Sequence, residues 1–194
     1  MEPLRQFSDF LNKFAAIQES EFNSIIQPRI QLRRFGKKEV ITYAGETERY
    51  LNFVSKGLAR KYFRKGDEEI ITQISMEGQI IHSQESFHSQ TRSDYFVEAV
   101  EPTVLLSISR EDLDDIFSTS ANMERMGRKI VTFVLVLTER WQMSLLKLSP
   151  RERFIAFVQN NPELMQRTPQ KFLASLLNIQ PETFSRFKHL LKGK

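Results

Sequence analysis

The chain has 194 residues, of which 40% are hydrophobic and 27% charged, a composition typical of one large or two small soluble globular domains. It contains no cysteine, which excludes disulfides, iron–sulfur clusters and thiolate zinc sites. No apolar run approaches the roughly 20 residues that span a bilayer, and the opening stretch MEPLRQFSDF lacks the apolar core of a signal peptide. We therefore expect a cytoplasmic protein with no membrane partner.

Residues 4–26 have helical spacing, with a break near residues 16–20. The apolar residues that recur at this spacing are Leu4, Phe7, Phe10, Leu11, Phe14, Phe22, Ile25 and Ile26. The pattern predicts an amphipathic helical lead-in.

Residues 30–108 change to short β-type runs that are separated by glycine. The glycines at 45, 57, 66 and 78 follow one another at intervals of 12, 9 and 12 residues. This rhythm is typical of an antiparallel barrel or sandwich with tight corners. A brief acidic helix is predicted next, at residues 110–117.

The longest predicted helix runs roughly from Ser120 to Leu148, and its apolar residues recur at a mean spacing near 3.6. The proposed dimer positions on it are Met126, Ile130, Val134, Leu137, Trp141 and Leu145. Further apolar residues widen this face, namely Val131, Phe133, Leu135 and Val136. A helix that is apolar on two sides needs two partners, so we expect one side on the β-domain and the other on the same helix of a second subunit. The alternative is an internal core helix of a monomer.

Residues 149–191 predict a series of short helices. Ser149-Pro150 starts one of about eleven residues, because serine caps a helix and proline opens it. Thr168 with Pro169, and Gln180 with Pro181, repeat this arrangement and predict a helix-turn-helix pair. Asn178 is expected to end the first helix of the pair in a left-handed conformation.

In the second helix of the pair, Phe184, Phe187 and Leu191 are predicted to face inward. The residues predicted to face outward are Glu182, Thr183, Ser185, Arg186 and His189, types that reach base edges and phosphates. Residues 147–194 carry nine Lys and Arg against three acids, a net charge of +6, while the first 146 residues carry −2. This local basic character indicates a phosphate-binding footprint. The alternative is a helical hairpin that packs on another surface.

The order of these elements resembles the bacterial transcription regulators of the cyclic-AMP receptor and fumarate–nitrate regulator (Crp/Fnr) family. The motifs that carry the resemblance are AGE at 44–46, SKG at 55–57, MEG at 76–78 and LASLLNIQPETFSR at 173–186. It implies an α+β fold: an N-terminal antiparallel β-roll (a jelly roll like that of cyclic-nucleotide-binding domains) with flanking helices, a long dimerisation helix and a C-terminal helix-turn-helix domain. The corresponding domains would be residues 1–119, 120–148 and 149–194.

The resemblance further implies a homodimeric, sequence-specific regulator that binds double-stranded DNA, with RNA polymerase as a further partner, and not an enzyme. Predicted base-reading residues are Gln180, Glu182, Thr183 and Arg186. Predicted phosphate contacts are Thr168, Lys171, Ser185, Lys188 and Lys192. The alternative function is a ligand-binding or protein-interaction module that no longer binds DNA.

Two departures from the family pattern modify this expectation. Members that bind a cyclic nucleotide have a Gly-Glu pair and, about ten residues later, an Arg followed by Ser or Thr. Ungapped alignment from MEG places His82 and Ser83 at the first pair and Ser93 and Asp94 at the second, with Arg92 one position early. A register shift of one residue would restore Arg92. Only Lys192, Gly193 and Lys194 follow the reading helix, so no β-hairpin wing is expected.

We therefore predict that the protein does not bind cyclic AMP in the usual way. These five residues, His82 to Asp94, are the candidate pocket for another small-molecule effector, if one exists. His82 and His88 could in principle ligate haem or a metal ion, but solvated loop histidines are commoner, and no metal or other cofactor is predicted.

Overall fold

The computed structural model describes residues 2–191, with side chains up to residue 189. The N-terminal lead-in is α1 (Glu2–Asn12) and, after a break, α2 (Glu19–Glu21), which continues into a π turn (Phe22–Ile26) and a 3-10 turn (Gln27–Arg29). Its apolar side chains pack with Phe53, Leu106 and Ile108 of the β-domain. The predicted lead-in and its break are confirmed.

The β-domain is a jelly roll of two four-stranded antiparallel sheets. Its strands are β1 (Gln31–Phe35), β2 (Val40–Thr42), β3 (Tyr50–Lys56), β4 (Ala59–Lys65), β5 (Glu68–Ser75), β6 (Ile80–Ile81), β7 (Phe96–Ala99) and β8 (Thr103–Ser109). The strand orders are β1-β8-β3-β6 and β2-β7-β4-β5, so β5 is an edge strand. The sequence prediction of an antiparallel β-roll is confirmed.

Glycine spacing located the corners correctly, since Gly45, Gly57, Gly66 and Gly78 all have positive φ. At Gly57 (φ 96°) an added Cβ would lie 2.5 Å from the Pro102 carbonyl oxygen. Only glycine combines that backbone angle with so close an approach. The corner between β3 and β4 therefore packs directly on the chain that enters β8.

Helix α3 (Gln84–Ser89) lies within the β-domain between β6 and β7, and α4 (Arg110–Thr119) and α5 (Ala121–Lys147) lead from the β-domain to the C-terminal region. Side-chain oxygens of Ser109 and Ser120 cap α4 and α5. A Cβ at Gly127 would lie 2.4 Å from the Phe117 ring, so this glycine allows α4 and α5 to cross closely. Among residues 2–191, no helix is long and apolar enough to cross a membrane.

The two apolar faces of α5 are distributed differently from the prediction. Met126 is 3% exposed in its own chain's core, and Ile130 packs against the same cluster. Trp141 packs against the C-terminal helices. The dimer position assigned to Met126 is therefore wrong, because that side chain already lies inside its own subunit. Of the predicted stripe, Leu137 is 46% exposed, and Val134 and Leu145 are half-buried.

The C-terminal helices are α6 (Pro150–Asn160), α7 (Pro162–Arg167), α8 (Gln170–Leu176) and α9 (Pro181–Leu191). Asn178 has φ 50°, which confirms the left-handed residue after α8. The predicted cap at Thr168 is wrong: Thr168 ends α7, and Pro169 precedes α8 without a side-chain cap. These helices share one apolar core with the outer face of β4 and β5, including Leu58 and Tyr62.

Candidate nucleic-acid interface and effector pocket

Aromatic side chains on the buried side of α9 pack against α6. Phe184 is fully buried and meets Phe154 of α6 edge-on, with ring centroids 5.1 Å apart. Phe187 packs on the same ring and is half-buried. The side chain of Leu191 lies outside the described residues. Of the predicted base-reading residues, Gln180, Glu182 and Arg186 are exposed and Thr183 is half-buried.

Arg153 fixes the corner between α8 and α9. It is buried in α6, and its guanidinium donates to the carbonyl oxygens of Leu177 (3.0 Å) and Asn178 (3.2 Å) at that corner. It also donates to the carbonyls of Leu145 (3.1 Å) and Leu148 (2.7 Å) at the end of α5. One cation therefore satisfies two helix ends at once and links the α8–α9 corner to α5.

The predicted phosphate contacts are not equally available. Lys171 is exposed, and Ser185 and Lys188 are half-buried. Thr168 is only 5% exposed, so its hydroxyl does not lie on the surface. Lys192 lies outside the described residues.

Of the seven basic residues of this region that the structure describes, two form hydrogen bonds within the chain. Arg153 is the buried corner residue described above. Arg167 donates to Glu77 (2.8 and 3.0 Å), and it also pairs with Glu101 and Glu163. These hydrogen bonds raise the pKa of the Arg167 guanidinium, with Glu77 the largest contributor. The net charge of residues 147–194 therefore overstates the positive charge that is available to contact phosphate groups.

The lead-in helix α8 is fastened to edge strand β5. The Ser175 hydroxyl accepts from the Ile71 N–H (2.9 Å) and donates to the Glu69 carbonyl (3.1 Å), replacing partners that an edge strand lacks. Arg60 of β4 lies 4.0 Å from the Phe172 ring of α8 and 4.1 Å from that of Tyr62. These contacts attach α8 to the β-roll.

The Arg60 guanidinium is 4% exposed and forms ion pairs with Glu69 (2.6 Å) and Glu98 (3.0 Å). Burial by itself would lower the pKa of Arg60, but the hydrogen bonds to the two carboxylates raise it overall. The same contact lowers the pKa of Glu69. Arg60 is therefore a permanent cation in the interface between the roll and the helices.

In the candidate effector segment, residues 82–94, serine hydroxyls form hydrogen bonds within the segment. The side-chain oxygens of Ser83 and Ser93 share a 2.8 Å hydrogen bond, and Ser93 also bonds both backbone groups of Tyr95. Ser83 and Ser93 are buried, whereas Arg92 and Asp94 are exposed. The structure therefore brings Ser83 and Ser93 together in the interior and leaves Arg92 and Asp94 at the surface.

The carboxylate of Glu48 is buried next to this segment. Glu48 is 1% exposed and accepts from the Thr42 hydroxyl (2.8 Å), the Ser83 N–H (3.2 Å) and the Tyr50 N–H (3.2 Å). Burial raises the pKa of its carboxyl above the ordinary value, and the three hydrogen bonds oppose this rise. A polar cavity of about 490 Å³ opens next to it and is also lined by Arg33 and Tyr50.

His82 is not the solvated loop histidine that the sequence suggested. It is 4% exposed, and neither ring nitrogen has a hydrogen-bond partner among residues 2–191. Burial, helped by nearby Lys61 and His88, lowers the pKa of His82 to about 3. Burial also lowers the pKa of Lys61 to about 8. In the part of the chain described by the structure, no group of three or more His, Cys, Asp or Glu side chains could hold a metal ion.

The β-roll matches one family model. The model of the cyclic nucleotide-binding domain matches residues 32–120. The matched stretch covers the β-roll and α4. No curated protein matches the chain by sequence.

Solved structures resemble nearly the whole chain. FixK2 from Bradyrhizobium japonicum has 18% identity over 84% of each chain and a TM-score of 0.72. The c-di-GMP-responsive global regulator CLP of Xanthomonas campestris has 17% identity over 90% of this chain and 92% of its own, with a TM-score of 0.66. Thermus thermophilus catabolite activator protein has 20% identity over 98% and 86%, with a TM-score of 0.58. At such identities the likeness concerns the fold, and the resemblance to Crp/Fnr-type regulators is confirmed at that level.

Sequence reasoning missed the residues that join the β-roll to the C-terminal helices. Arg60 alternates with Leu58 and Tyr62 along β4, and that alternation was visible as a pattern. What it could not reveal is that this face is covered by α8, so that a charged residue on it is buried. Glu48 and Arg153 gave no signal either, because no sequence pattern shows which backbone groups a buried side chain will bond, such as those of Ser83 and Leu177.

Acid should destabilise the domain through His82. Its folded pKa of about 3 lies below its ordinary value of 6.5, so between these pH values the unfolded chain binds a proton that the folded chain does not. Stability should be fully present above pH 6.5 and fall as pH falls, by about 2 kcal/mol at pH 5. Thermal melts at pH 7 and 5 should show a clearly larger drop for the natural protein than for His82→Leu. His189→Leu, an exposed change in α9, serves as the control, and equal drops in all three proteins would contradict the assignment.

Proposed function

We propose that the protein is a homodimeric, sequence-specific DNA-binding transcription regulator of the Crp/Fnr type, in which residues 1–119, 120–148 and 149–194 act as effector, dimerisation and DNA-binding parts. The observation that carries this proposal is the exposed face of α9, where Gln180, Glu182 and Arg186 project from a helix anchored by Phe184. A helix with such residues on its free side fits the major groove. The similarity in fold to a global regulator and a catabolite activator protein supports this reading.

Dimerisation is supported by an exposed apolar stripe on α5, here called the α5 stripe, formed by Val131, Leu135 and Leu146 with Thr138 and Gln142 between them. Its members follow at steps of 4, 3, 4 and 4 residues, the spacing of a two-helix seam. Val131, Leu135 and Leu146 are 53%, 65% and 81% exposed. Apolar side chains this exposed in a regular row favour a partner helix. A second copy would place two reading helices on a pseudo-palindromic site.

The effector domain is proposed not to respond to cyclic AMP. Two observations support this. The hydroxyls of Ser83 and Ser93 already bond to each other, and Arg92 is exposed. A cyclic phosphate would have to displace these bonds without gaining a buried guanidinium. The protein should therefore bind DNA equally well with and without cyclic AMP.

The proposal is tested by selecting bound sequences from a random DNA pool, with and without cyclic AMP, and then measuring Arg186→Ala on the selected site. Loss of a guanidinium that contacts guanine should cost about 1–3 kcal/mol and relax the preference at one base position. In contrast, Lys171→Ala should weaken binding to all sequences alike and lower the salt slope by about 1.

Unchanged affinity and preference in Arg186→Ala would reject the base-reading role. Little binding to any pool at low salt would instead favour the rival function, a ligand-binding or protein-interaction module that does not engage DNA.

A further inference from the structure

Glu48 connects three separate segments of the β-roll. Its carboxylate joins Thr42 at the end of β2, the chain entering β3 and the Ser83 N–H just before α3. All three partners donate, so the arrangement suits an ionised carboxylate, which only accepts. Burying such a group costs free energy that apolar packing does not return. Any stabilising effect of Glu48 must therefore come from the hydrogen bonds that its carboxylate accepts.

The segment between Ser83 and Ser93 is held at several points around Glu48. The Glu48 N–H donates to the Ser86 hydroxyl (2.8 Å), and this hydroxyl donates to the Thr91 carbonyl (2.6 Å). Ser86 itself is 1% exposed. The backbone and the carboxylate of one residue thus fasten both the start and the end of α3.

Contacts continue from α3 towards the dimer helix. Arg110, the first residue of α4, donates to the carbonyls of Phe87 (3.3 Å) and His88 (3.0 Å) at the end of α3. Helix α4 in turn crosses α5 at Phe117 and Gly127. A shift of α3 would therefore change the contact between α4 and α5.

We propose that Glu48 is a resident anion: it holds segment 83–93 closed against β2 and β3, so that α4 and α5 keep one arrangement without any bound ligand. An anionic effector is then unnecessary, because the chain supplies the negative charge itself. The DNA-binding consequence rests on the proposed function, whereas the closure of the segment does not.

Glu48→Ala tests this by chemical rescue, because the atoms it removes correspond to acetate and the neighbouring cavity offers a route of entry. Amide hydrogen exchange of residues 83–91 in the full chain should accelerate about tenfold in the variant. About 100 mM acetate, compared with chloride at equal ionic strength, should return exchange to within about threefold of the natural protein. Affinity for the selected DNA site should fall and recover in parallel.

Two variants sharpen the test. Glu46→Ala removes an exposed carboxylate two residues away and should change neither exchange nor the response to acetate. Glu48→Gln keeps the volume but not the charge, so its exchange should rise several-fold with no response to acetate, and this can be measured even if Glu48→Ala does not fold.

Exchange in Glu48→Gln equal to that of the natural protein, or failure of acetate to slow exchange in a folded Glu48→Ala, would overturn the proposal. Rescue of exchange in a protein that binds no DNA would uphold the resident anion and reject the proposed function. The two ideas can thus fail separately.

Discussion

Replacing Leu135 by glutamate is expected to turn a dimer into a monomer and to weaken binding to a two-half-site operator by about 100-fold or more. Leu135 is 65% exposed in the single chain, so the change removes little packing within the subunit. In a dimer the α5 stripe would bring two glutamates together in an apolar seam, where charge is costly. Sedimentation or light scattering gives the oligomeric state, and mobility-shift assays give the affinity.

Val136→Glu is the matched control, because Val136 is the next residue along the helix, is 37% exposed and lies outside the α5 stripe. It should leave a dimer of natural affinity. A Leu135→Glu protein that remains dimeric would show that the seam lies elsewhere on α5. One that is monomeric yet binds the full operator with natural affinity would argue against cooperative recognition by two subunits.

Arg60→Met should be the most destabilising single change in the contact between roll and helices. The guanidinium is 4% exposed, and its loss leaves Glu98, itself 9% exposed, without its cation. Removing one partner of a buried ion pair costs about 3–5 kcal/mol, because the remaining charge stays desolvated. The melting temperature should fall by about 10 °C for a chain of this size.

Loosening this contact should also affect DNA binding, since Arg60 touches Phe172 of α8 and α8 positions the reading helix. Lys65→Met, an exposed change on the same strand, is the control and should alter neither property. A double-mutant cycle with Phe172→Ala should give a non-additive result. Additive effects would mean that the cation–ring contact contributes nothing, and an unchanged melting temperature in Arg60→Met would refute the buried pair's role.

Periodicity predicted the elements of this protein well because it depends on local geometry. Glycine spacing located the corners of the roll, and proline with a preceding cap located α6 and α9. The cap at Thr168 failed because the chain turns one residue later than the motif suggested, leaving Thr168 at the end of α7. Such a shift depends on how α7 packs, which no local pattern encodes.

The buried face of α5 could not be predicted from the sequence pattern. Two apolar sides were visible, but periodicity does not say which one the subunit buries, so Met126 was assigned to a seam when it belongs to the core. Charge counting had the same weakness. Arg153 and Arg167 contributed to the net charge of residues 147–194, but the fold places them against carbonyls and carboxylates of their own chain.

By itself the sequence determined the order of elements, the antiparallel roll and the exposed face of α9, because helical and strand periods and turn residues act over a few positions. The tertiary structure alone decided which charges are buried, that α8 packs against β5, that Arg92 is exposed, and that Glu48 is buried with hydrogen bonds to Thr42, Tyr50 and Ser83. These contacts join residues far apart in the chain, and their free energies depend on desolvation, which exists only once the segments have packed together.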